Sequence, residues 1–354
     1  MAVRGQQAKV SEAEARRIHD AAIVVDAELS GYFTRPAPIV DGKDYLQRAL
    51  DGGITAAVQT LAGGNTNFRG ALAHINECYQ LLEVEPARTM LVRSSRDIEE
   101  AKRERKLGLI FGFQDATPLE DDWTNLLPAC WRLGVRVIQL TYNEHGRLGS
   151  GCLEPNDLGL TAYGRQVIGG MNRLGVMLNL SHTGEKTSFD AIEASQDPCI
   201  ISHANATKLT PHPRNKSDVL IKALAAKGGV IGVVAWSPLA VLKPGVAPTV
   251  DDLVTHIDYI VDLVGVDHVA IGTDINEAFR VMPIPSSFET QYSFQLVGFK
   301  GRAPAVEGFS QVHEFPNVTR ALLDRGYKEA DVKKILGGNF MRLAKAVWDK
   351  HTPQ

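Results

Sequence analysis

The sequence predicts an α/β protein built as a single (β/α)8 barrel, a TIM barrel, that takes in residues 1–354. Three observations support this prediction. Eight short apolar segments rich in β-branched residues recur along the chain, and longer segments with helical periodicity separate them. The eight segments are apolar almost throughout, which is typical of parallel strands covered on both faces. No linker-like segment divides the chain, which favours one barrel over two doubly wound domains.

Each segment has a place in this barrel. The eight predicted strands are residues 23–29, 54–60, 109–116, 135–143, 176–182, 199–206, 230–236 and 268–275. A helix is predicted within residues 1–20, where Ser11 and Glu14 have the spacing of a capping box. Helices are also predicted at 164–175, 217–229 and 249–265. Residues 276–313 are poorly patterned and are expected to cover the barrel mouth, and residues 314–354 are expected to form closing helices.

Composition and charge narrow the class of protein. An apolar fraction of 44% and a charged fraction of 22% are typical of a globular protein with a large core. A net charge of −3 gives no general attraction to nucleic acid or to anionic membranes. The N-terminus lacks the apolar segment of a signal peptide, and no apolar run reaches membrane-spanning length. We therefore expect a cytoplasmic protein without nucleic-acid or membrane partners, whose four cysteines are free thiols.

The active site of such a barrel lies at the carboxyl ends of the strands. Two of these ends are near-twins, because LNLSH ends in His182 and IISH ends in His203. Imidazole and carboxylate groups are the ligands that zinc takes in hydrolytic sites. An isolated histidine is more often a core residue, but two at matching strand ends favour a polar functional site. The candidate residues at the strand ends are Asp26, Glu28, Gln114, Asp115, Tyr142, Asn143, His182, His203, Trp236 and Asp274.

The loops add one further candidate. Arg214, in the segment HPRNKSD, either holds a substrate carboxylate with two hydrogen bonds or pairs locally in a loop whose Ser217 or Asp218 caps a helix. Spacing does not separate these two interpretations. The glycine-rich residues 147–160 lack the Lys-Ser/Thr of a phosphate loop and are expected to cover a substrate. His145, His212 and His313 have no partner at ligand spacing and are predicted to be surface residues.

Several motifs together resemble the membrane dipeptidase (renal-dipeptidase-like) family of the metal-dependent amidohydrolase superfamily. They are NLSHTGEKT, SHANATKL, HPRNKSD and VAIGTD, and the segments LTYNEHGRLGSGC and LGLTAYGRQVIGGMNRLGV are similar to the bacterial branch. The resemblance covers nearly the whole chain. It implies a barrel, often dimeric, that hydrolyses dipeptides with two zinc ions. It also implies roles for His182 and His203 as ligands of the second metal, for Arg214 in binding the substrate carboxylate, and for Asp274 in handling the proton of the attacking water.

The chain departs from this family at the other half of the metal centre. Glu28 and Ser30 stand where the family has a His-x-Asp pair, and Gln114 stands where a glutamate bridges the metals. Tyr142 falls near a histidine of the animal enzymes, and Asn179 replaces an aspartate. Two dications about 3.5 Å apart repel by about 19 kcal/mol at an effective dielectric of 20, so a bridging anion is close to required. A neutral Gln114 does not supply one, and we expect at most one divalent metal, with zinc as the first expectation.

Three functions remain open from the sequence. The first is a dipeptidase-like metallohydrolase of a dipeptide or small carboxylate-bearing amide, and it ranks ahead of the other two. The second is a metal-independent lyase, isomerase or hydrolase on the same barrel, and the third is a non-catalytic binding protein for a small ligand. A homodimer is expected in each case. The first hypothesis assigns Asp274 and Gln114 to catalysis, Arg214, Tyr142 and Asn143 to substrate binding, and His182, His203 and, as a further candidate, Glu28 to the metal.

Overall fold

The computed structural model describes residues 9–30, 39–64, 66–277, 297–299 and 303–351. The strands in these residues all pair in parallel, in the order β1-β2-β4-β5-β6-β7-β8-β9, and β3 lies off this path beside β4. The strands are β1 Val25–Leu29, β2 Ala56–Ala62, β3 Thr89–Leu91, β4 Leu107–Phe113, β5 Val135–Gln139, β6 Met177–Asn179, β7 Ile200–Ile201, β8 Val230–Val233 and β9 Val269–Ile271.

The predicted (β/α)8 barrel is confirmed, because the eight strands of the main path coincide with the eight predicted segments. The short β3 was not predicted, since a run of three residues carries no periodicity of its own. The sixth and seventh strands are shorter than the apolar runs suggest. Asn179 ends β6, and its Oδ1 accepts hydrogen bonds from the backbone N–H groups of Ser181 and Ser202, both at 3.1 Å. Such side-chain bonds compete with the ladder and turn the backbone away from it.

Side chains close the barrel between its first and last strands. Both carboxylate oxygens of Asp26 accept hydrogen bonds from Thr273, one from the backbone N–H at 2.8 Å and one from Oγ1 at 2.6 Å. Two residues further along, the backbone N–H of Asp274 donates to the carbonyl of Glu28 at 2.8 Å. Burial raises the pKa of Asp26 to about 7, although its hydrogen bonds with Thr273 act in the opposite direction. Asp26 therefore joins the first and last strands of the barrel, and it does not line the cavity at the mouth.

Helices follow the strands around the outside. Ser11 caps the first helix by accepting a hydrogen bond from the backbone N–H of Glu14 at 3.2 Å, whereas the Glu14 carboxylate pairs with Arg17 instead of completing a capping box. The helices are α1 Glu12–Ala21, α2 Tyr45–Asp51, α3 Phe68–Val84, α4 Ser95–Glu104, α5 Trp123–Arg132, α6 Ala162–Leu174, α7 Glu185–Ala194, α8 Asp218–Ala226, α9 Ser237–Ala240, α10 Val250–Val264, α11 Phe315–Asp324, α12 Glu329–Lys333 and α13 Asn339–Val347.

The last helix packs at the opposite end of the barrel from the site, whereas α11 packs beside α1 and α10. A π-helical turn, Lys334–Gly338, joins α12 to α13. One buried cluster joins Phe340, Val347 and Trp348 to residues from every strand of the main path, an arrangement that requires the cluster to lie inside the barrel. Because the strand residues in it stand mostly at the strand starts, α13 fills the amino-terminal end. The carboxyl-terminal end is left for the site.

The predicted covering segment is described only in part, because residues 278–296 and 300–302 lie outside the described ranges. Its described residues Ala303–Val306 line the cavity at the barrel mouth, and the covering role of the whole segment stays a prediction. A buried ion pair between Arg48 of α2 and Glu277 anchors the start of the segment. Glu277 also accepts a hydrogen bond from the backbone N–H of Val312 at 3.0 Å.

Candidate active site

A cavity of about 1340 Å³ opens at the carboxyl ends of the strands. It is large enough to enclose a small molecule of dipeptide size with room to spare. The sequence-predicted residues divide into two groups around it. Glu28 and His203 are buried and do not line the cavity. The predicted residues that do line it are Gln114, Asp115, Tyr142, Asn143, His182, Arg214, Trp236 and Asp274.

His182 and His203 meet through their Nε2 atoms, which lie 3.1 Å apart. Both rings are buried, and Tyr142 stacks on His182 with a centroid distance of 4.3 Å and an interplanar angle of 15°. Burial, followed by the positive charge of Arg214, holds the pKa of each imidazole well below its usual value. Two neutral imidazoles therefore converge on one point beside the cavity.

Asn179 and Arg214 hold the two Ser-His turns together. The Oδ1 of Asn179 accepts hydrogen bonds from the Ser181 hydroxyl at 2.8 Å as well as from the two backbone N–H groups that follow β6 and β7. The guanidinium of Arg214 donates to the backbone carbonyls of Ser181 and His203, the latter at 2.8 Å. The position of each histidine is thus determined by side-chain bonds to the backbone of both turns.

The HPRNKSD loop was given two interpretations, a helix cap with local pairing of Arg214 and a binding site for a substrate carboxylate. Ser217 caps α8 by accepting a hydrogen bond from the backbone N–H of Leu220 at 3.1 Å. The Arg214 guanidinium donates to the backbone carbonyls of Ser181 and His203, which lie outside its own loop, and the residue also lines the cavity. Its part in holding a substrate carboxylate stays a prediction.

Glu28 lies on the far side of His203 from His182. Its Oε2 is 3.6 Å from Nδ1 of His203, whereas Nε2 is the nitrogen that faces His182. Three donors surround the carboxylate: the Thr60 hydroxyl at 2.6 Å, the Gln114 amide nitrogen at 3.0 Å and the Ser202 hydroxyl at 3.1 Å. Burial raises the pKa of Glu28 to about 7, although these hydrogen bonds act in the opposite direction.

Asp274 is held in a conformation that few residues adopt. Its φ of 53° lies in the left-handed region, which is uncommon outside glycine and is several-fold enriched in aspartate and asparagine. Its carboxylate accepts a hydrogen bond from the Ser30 hydroxyl. Burial raises the pKa of Asp274 to about 6, while the Ser30 bond and the charge of Arg214 lower it. A strained backbone beneath a half-buried carboxylate at a cavity is typical of a functional site.

The metal-ligating side chains near the cavity fit fewer ions than the two zinc ions that the family resemblance implies. Within the described ranges, no three His, Cys, Asp or Glu side chains form a group that could hold a metal ion. The paired imidazole nitrogens of His182 and His203 fit one ion that completes its coordination with water or substrate. The corner around Glu28 does not fit a second ion, because the hydrogen-bond donors of Thr60, Gln114 and Ser202 already point at its carboxylate.

Sequence reasoning missed the residues that organise the site and misplaced one histidine. Thr60 and Ser202 hold Glu28, and the only signal for Ser202 was the repeated Ser-His pair. His212 was predicted to be a surface residue, and this is wrong: it is buried, and its Nδ1 accepts a hydrogen bond from the backbone N–H of Arg214 at 3.1 Å. His145 is exposed, as predicted, and lies at the cavity.

Solved structures share this architecture. The chain is 33% identical to an amidohydrolase from Pseudomonas aeruginosa, with a TM-score of 0.84 over 96% of this chain and 100% of that one. A metallopeptidase from Rhodobacter sphaeroides, solved with a phosphinate mimic of the dipeptide L-Ala-D-Ala, has a TM-score of 0.74 over 92% of this chain and 100% of that one. Its identity of 20% supports the common fold.

Sequence relatives include fungal dipeptidases. The chain is 28% identical to dipeptidase tcpJ of Claviceps purpurea over 287 residues, which are 80% of this chain and 61% of that protein. It thus spans about three fifths of the length of that relative. No helix in the described residues is long and apolar enough to cross a membrane. The profile of the membrane dipeptidase family, peptidase family M19, matches residues 39–284 and 297–353. The chain therefore belongs to the membrane dipeptidase family.

Proposed function

We propose that the protein is a dipeptidase-type hydrolase of a dipeptide or small amide that carries a carboxylate, and that it uses at most one divalent ion. The observation that carries the proposal is the convergence of two neutral imidazoles, His182 and His203, with Nε2 atoms 3.1 Å apart beside a 1340 Å³ cavity. Family membership supports the reaction class. The donor set around Glu28 supports the limit of one ion.

Asp274 is the proposed general base. A half-buried carboxylate with a pKa of about 6 is largely ionised at neutral pH and remains basic enough to accept a proton from water. In hydrolysis, Asp274 takes one proton from the water that attacks the amide carbon. It then returns this proton to the nitrogen that leaves as the amine. The Ser30 hydroxyl, which donates to the carboxylate, keeps it oriented between the two steps.

The substrate is proposed to lie against three residues of the cavity wall. Arg214 supplies the positive charge for the substrate carboxylate, because its guanidinium is anchored on two backbone carbonyls and lines the cavity. Tyr142, stacked on His182, offers a flat apolar wall, and Asn143 lies directly beside it. Gln114 is proposed to act indirectly by holding Glu28, to which its amide donates at 3.0 Å.

The proposed ion is zinc or a similar divalent cation, held by His182 and His203. When bound, such an ion polarises a carbonyl oxygen and lowers the pKa of a coordinated water. Glu28 is proposed as an orienting residue and not as a ligand, because its carboxylate faces Nδ1 of His203, on the opposite side of the ring from Nε2. This assignment revises the sequence-based suggestion that Glu28 is a further ligand.

One observation favours a second candidate function, a metal-independent reaction at the same cavity. The contact between His182 and His203 has the length of an ordinary hydrogen bond, so the pair is stable without an ion. Under this alternative the pair acts as an acid or base in a lyase, isomerase or hydrolase reaction on a small carboxylate.

The test combines a metal count with turnover. Protein purified without chelator is analysed by mass spectrometry for divalent ions and is assayed for amine release from a dipeptide panel that includes L-Ala-D-Ala. We expect at most one equivalent of metal, turnover that is lost on chelation and restored by zinc, and loss of metal in His182→Ala. Turnover that survives exhaustive chelation supports the metal-independent candidate.

A third outcome separates catalysis from binding. If a phosphinate dipeptide mimic stabilises the protein against heat but no member of the panel turns over, the protein binds small ligands without hydrolysing them. Light scattering tests the expected homodimer, for which twice the chain mass is the predicted result. The cytoplasmic location stays a prediction that fractionation of cells can check.

A further inference from the structure

A continuous line of buried hydrogen bonds runs from the cavity wall to Glu28. Asn143 Oδ1 lies 2.7 Å from His182 Nδ1, the two histidine Nε2 atoms are 3.1 Å apart, and His203 Nδ1 lies 2.7 Å from Ser202 Oγ. Ser202 Oγ in turn lies 3.1 Å from Oε2 of Glu28. Each of these side chains is at most 3% exposed. Because buried polar groups need partners, every hydrogen along this line has to be assigned.

The hydroxyl of Ser202 determines the tautomer of His203. A hydroxyl donates one hydrogen and accepts two. Ser202 Oγ accepts from the Nδ2 of Asn179 at 2.8 Å, and Glu28 is an acceptor when it is ionised. Ser202 Oγ also lies 3.0 Å from Ser181 Oγ, whose own hydrogen goes to Asn179 Oδ1. The single Ser202 hydrogen therefore goes to Glu28 or to Ser181 Oγ, and in neither case to His203. His203 must then donate from Nδ1 to Ser202, and its Nε2 carries a lone pair.

The tautomer of His182 follows from that of His203. Two nitrogen lone pairs facing each other at 3.1 Å repel, so one Nε2 atom has to carry a hydrogen when no ion is present. Since His203 Nε2 does not, His182 Nε2 does. The Nδ1 of neutral His182 is then an acceptor.

The unpaired amide nitrogen of Asn143 is consistent with this assignment. With Oδ1 beside His182, the Nδ2 of Asn143 is buried and has no hydrogen-bond partner in the described part of the chain. Rotating the amide by half a turn places Nδ2 beside His182 Nδ1, where an acceptor now stands. The oxygen is left in the other position, and an unpaired buried carbonyl is tolerated more often than an unpaired N–H.

We propose that Asn143 is a positioning residue whose amide orientation selects between a hydrogen-bonded His182–His203 pair and an ion-binding pair. Without an ion, Asn143 Nδ2 donates to His182 Nδ1, and His182 Nε2 donates to His203. With an ion, the proton of His182 moves from Nε2 to Nδ1, and the amide turns to present Oδ1. Neither histidine gains or loses a proton overall. The ion-binding half of this inference rests on the proposed metal at the pair, whereas the tautomer assignment does not.

Substituting Asn143 separates the two states. A carboxylate only accepts, so Asn143→Asp should keep a hydrogen on His182 Nδ1 in both states. Once an ion is bound, both Nε2 lone pairs are then directed at it. A carboxylate behind a ligating histidine also raises its basicity, and changes of this kind alter metal affinity by about 10–100-fold. We expect Asn143→Asp to tighten Zn²⁺ binding by about tenfold or more, and Asn143→Leu to weaken it.

The experiment uses chelator-treated full-length protein. Side-chain ¹⁵N NMR reports which nitrogen of His182 carries the hydrogen, and calorimetric titration with Zn²⁺ reports affinity. Asn76→Asp, at an exposed position of α3 that does not line the cavity, is the matched charge control. Thermal unfolding verifies that each variant is folded. Without an ion, the hydrogen of His182 is expected on Nε2 alone in the parent and in Asn76→Asp, and on both Nδ1 and Nε2 in Asn143→Asp, where the carboxylate accepts from Nδ1 and His203 Nε2 still accepts from His182 Nε2.

Two results would overturn the inference. One is an Nδ1–H tautomer of His182 in the metal-free parent. The other is a folded Asn143→Asp variant whose tautomer and Zn²⁺ affinity both equal those of the parent. If the tautomers change as expected but Zn²⁺ binds to no variant, the proposed metal fails while the role of Asn143 in setting the tautomer is supported.

Discussion

The amide nitrogen of Gln114 lies 3.0 Å from Oε1 of Glu28 and donates a hydrogen bond to it. Gln114 is neutral and donates here, whereas the family resemblance implies a glutamate that bridges two metal ions at this position. It stabilises a buried carboxylate without a cation, because Thr60 and Ser202 donate to the same group. The expected metal content and stability of the site depend mostly on this replacement of a negatively charged residue by a hydrogen-bond donor.

Gln114→Glu should make the metal-free protein less stable at neutral pH. Two carboxylates would then face each other in a buried site, where unit charges about 4 Å apart interact by about 4 kcal/mol at an effective dielectric of 20. We expect a melting temperature several degrees lower in chelator, recovered by Zn²⁺ or by lowering the pH. Thermal unfolding measures this, with Gln80→Glu at an exposed position of α3 as the control. Equal melting temperatures for Gln114→Glu and the parent would contradict the prediction.

Arg214→Lys should loosen both histidine turns although the charge is kept. An ammonium lacks the planar fork that allows Arg214 to donate to the carbonyls of Ser181 and His203 together. Leaving a buried carbonyl unpaired costs about 1–3 kcal/mol. Denaturant unfolding should show a loss of this size, whereas Arg132→Lys, at an exposed position of α5, should be close to neutral. A free energy of unfolding equal to that of the parent would contradict the role of Arg214 in holding the two Ser-His turns together.

Asp274→Asn should remain folded and lose activity. Asparagine tolerates the φ of 53° and can still accept from Ser30, but it does not take up a proton. Loss of a general base typically lowers the rate by about 10²–10⁴-fold. Steady-state kinetics on any dipeptide that the parent hydrolyses would measure kcat. Asp274→Val is the structural contrast, because a β-branched residue at this φ should also lower the melting temperature. A parent-like kcat for Asp274→Asn would remove Asp274 from catalysis.

The stability of the metal-free protein should fall as the pH rises towards neutrality because of Asp26. Burial raises its pKa from 3.8 to about 7, so the folded protein keeps a proton that the unfolded chain has already released. Its contribution is therefore fully present below about pH 4 and is lost as the pH rises through about 7. Between these values it lowers the free energy of unfolding by up to about 1.4 kcal/mol per pH unit.

Comparing variants isolates this effect from that of other groups. Asp26→Asn, which has no titrating carboxyl, should show a flatter decline between pH 5 and pH 7 in denaturant unfolding with chelator present. Asp20→Asn, at an exposed position of α1, should follow the parent profile. If the Asp26→Asn profile runs parallel to that of the parent, Asp26 does not titrate in this range.

The sequence by itself determined the barrel and the strand ends that carry the site. Runs of apolar residues and the helices between them predict the order of the strands, so the positions of His182, His203 and Asp274 after strand ends were predicted from chain position alone. The sequence also shows that Glu28, Ser30 and Gln114 replace the metal ligands that the family resemblance implies, because the residue type determines which ligand group each position offers.

Only the tertiary structure decided how these side chains face one another. Glu28 meets Nδ1 of His203 and not Nε2, Arg214 anchors two backbone carbonyls, and His212 is buried rather than exposed. The positions of Glu28 and Arg214 depend on hydrogen bonds between residues far apart in the chain, such as the one that joins Ser202 to Glu28. Periodicity records which face of an element is apolar, but it carries no information about the direction of a polar side chain at a strand end. That direction is set by the partners that folding brings within about 3 Å.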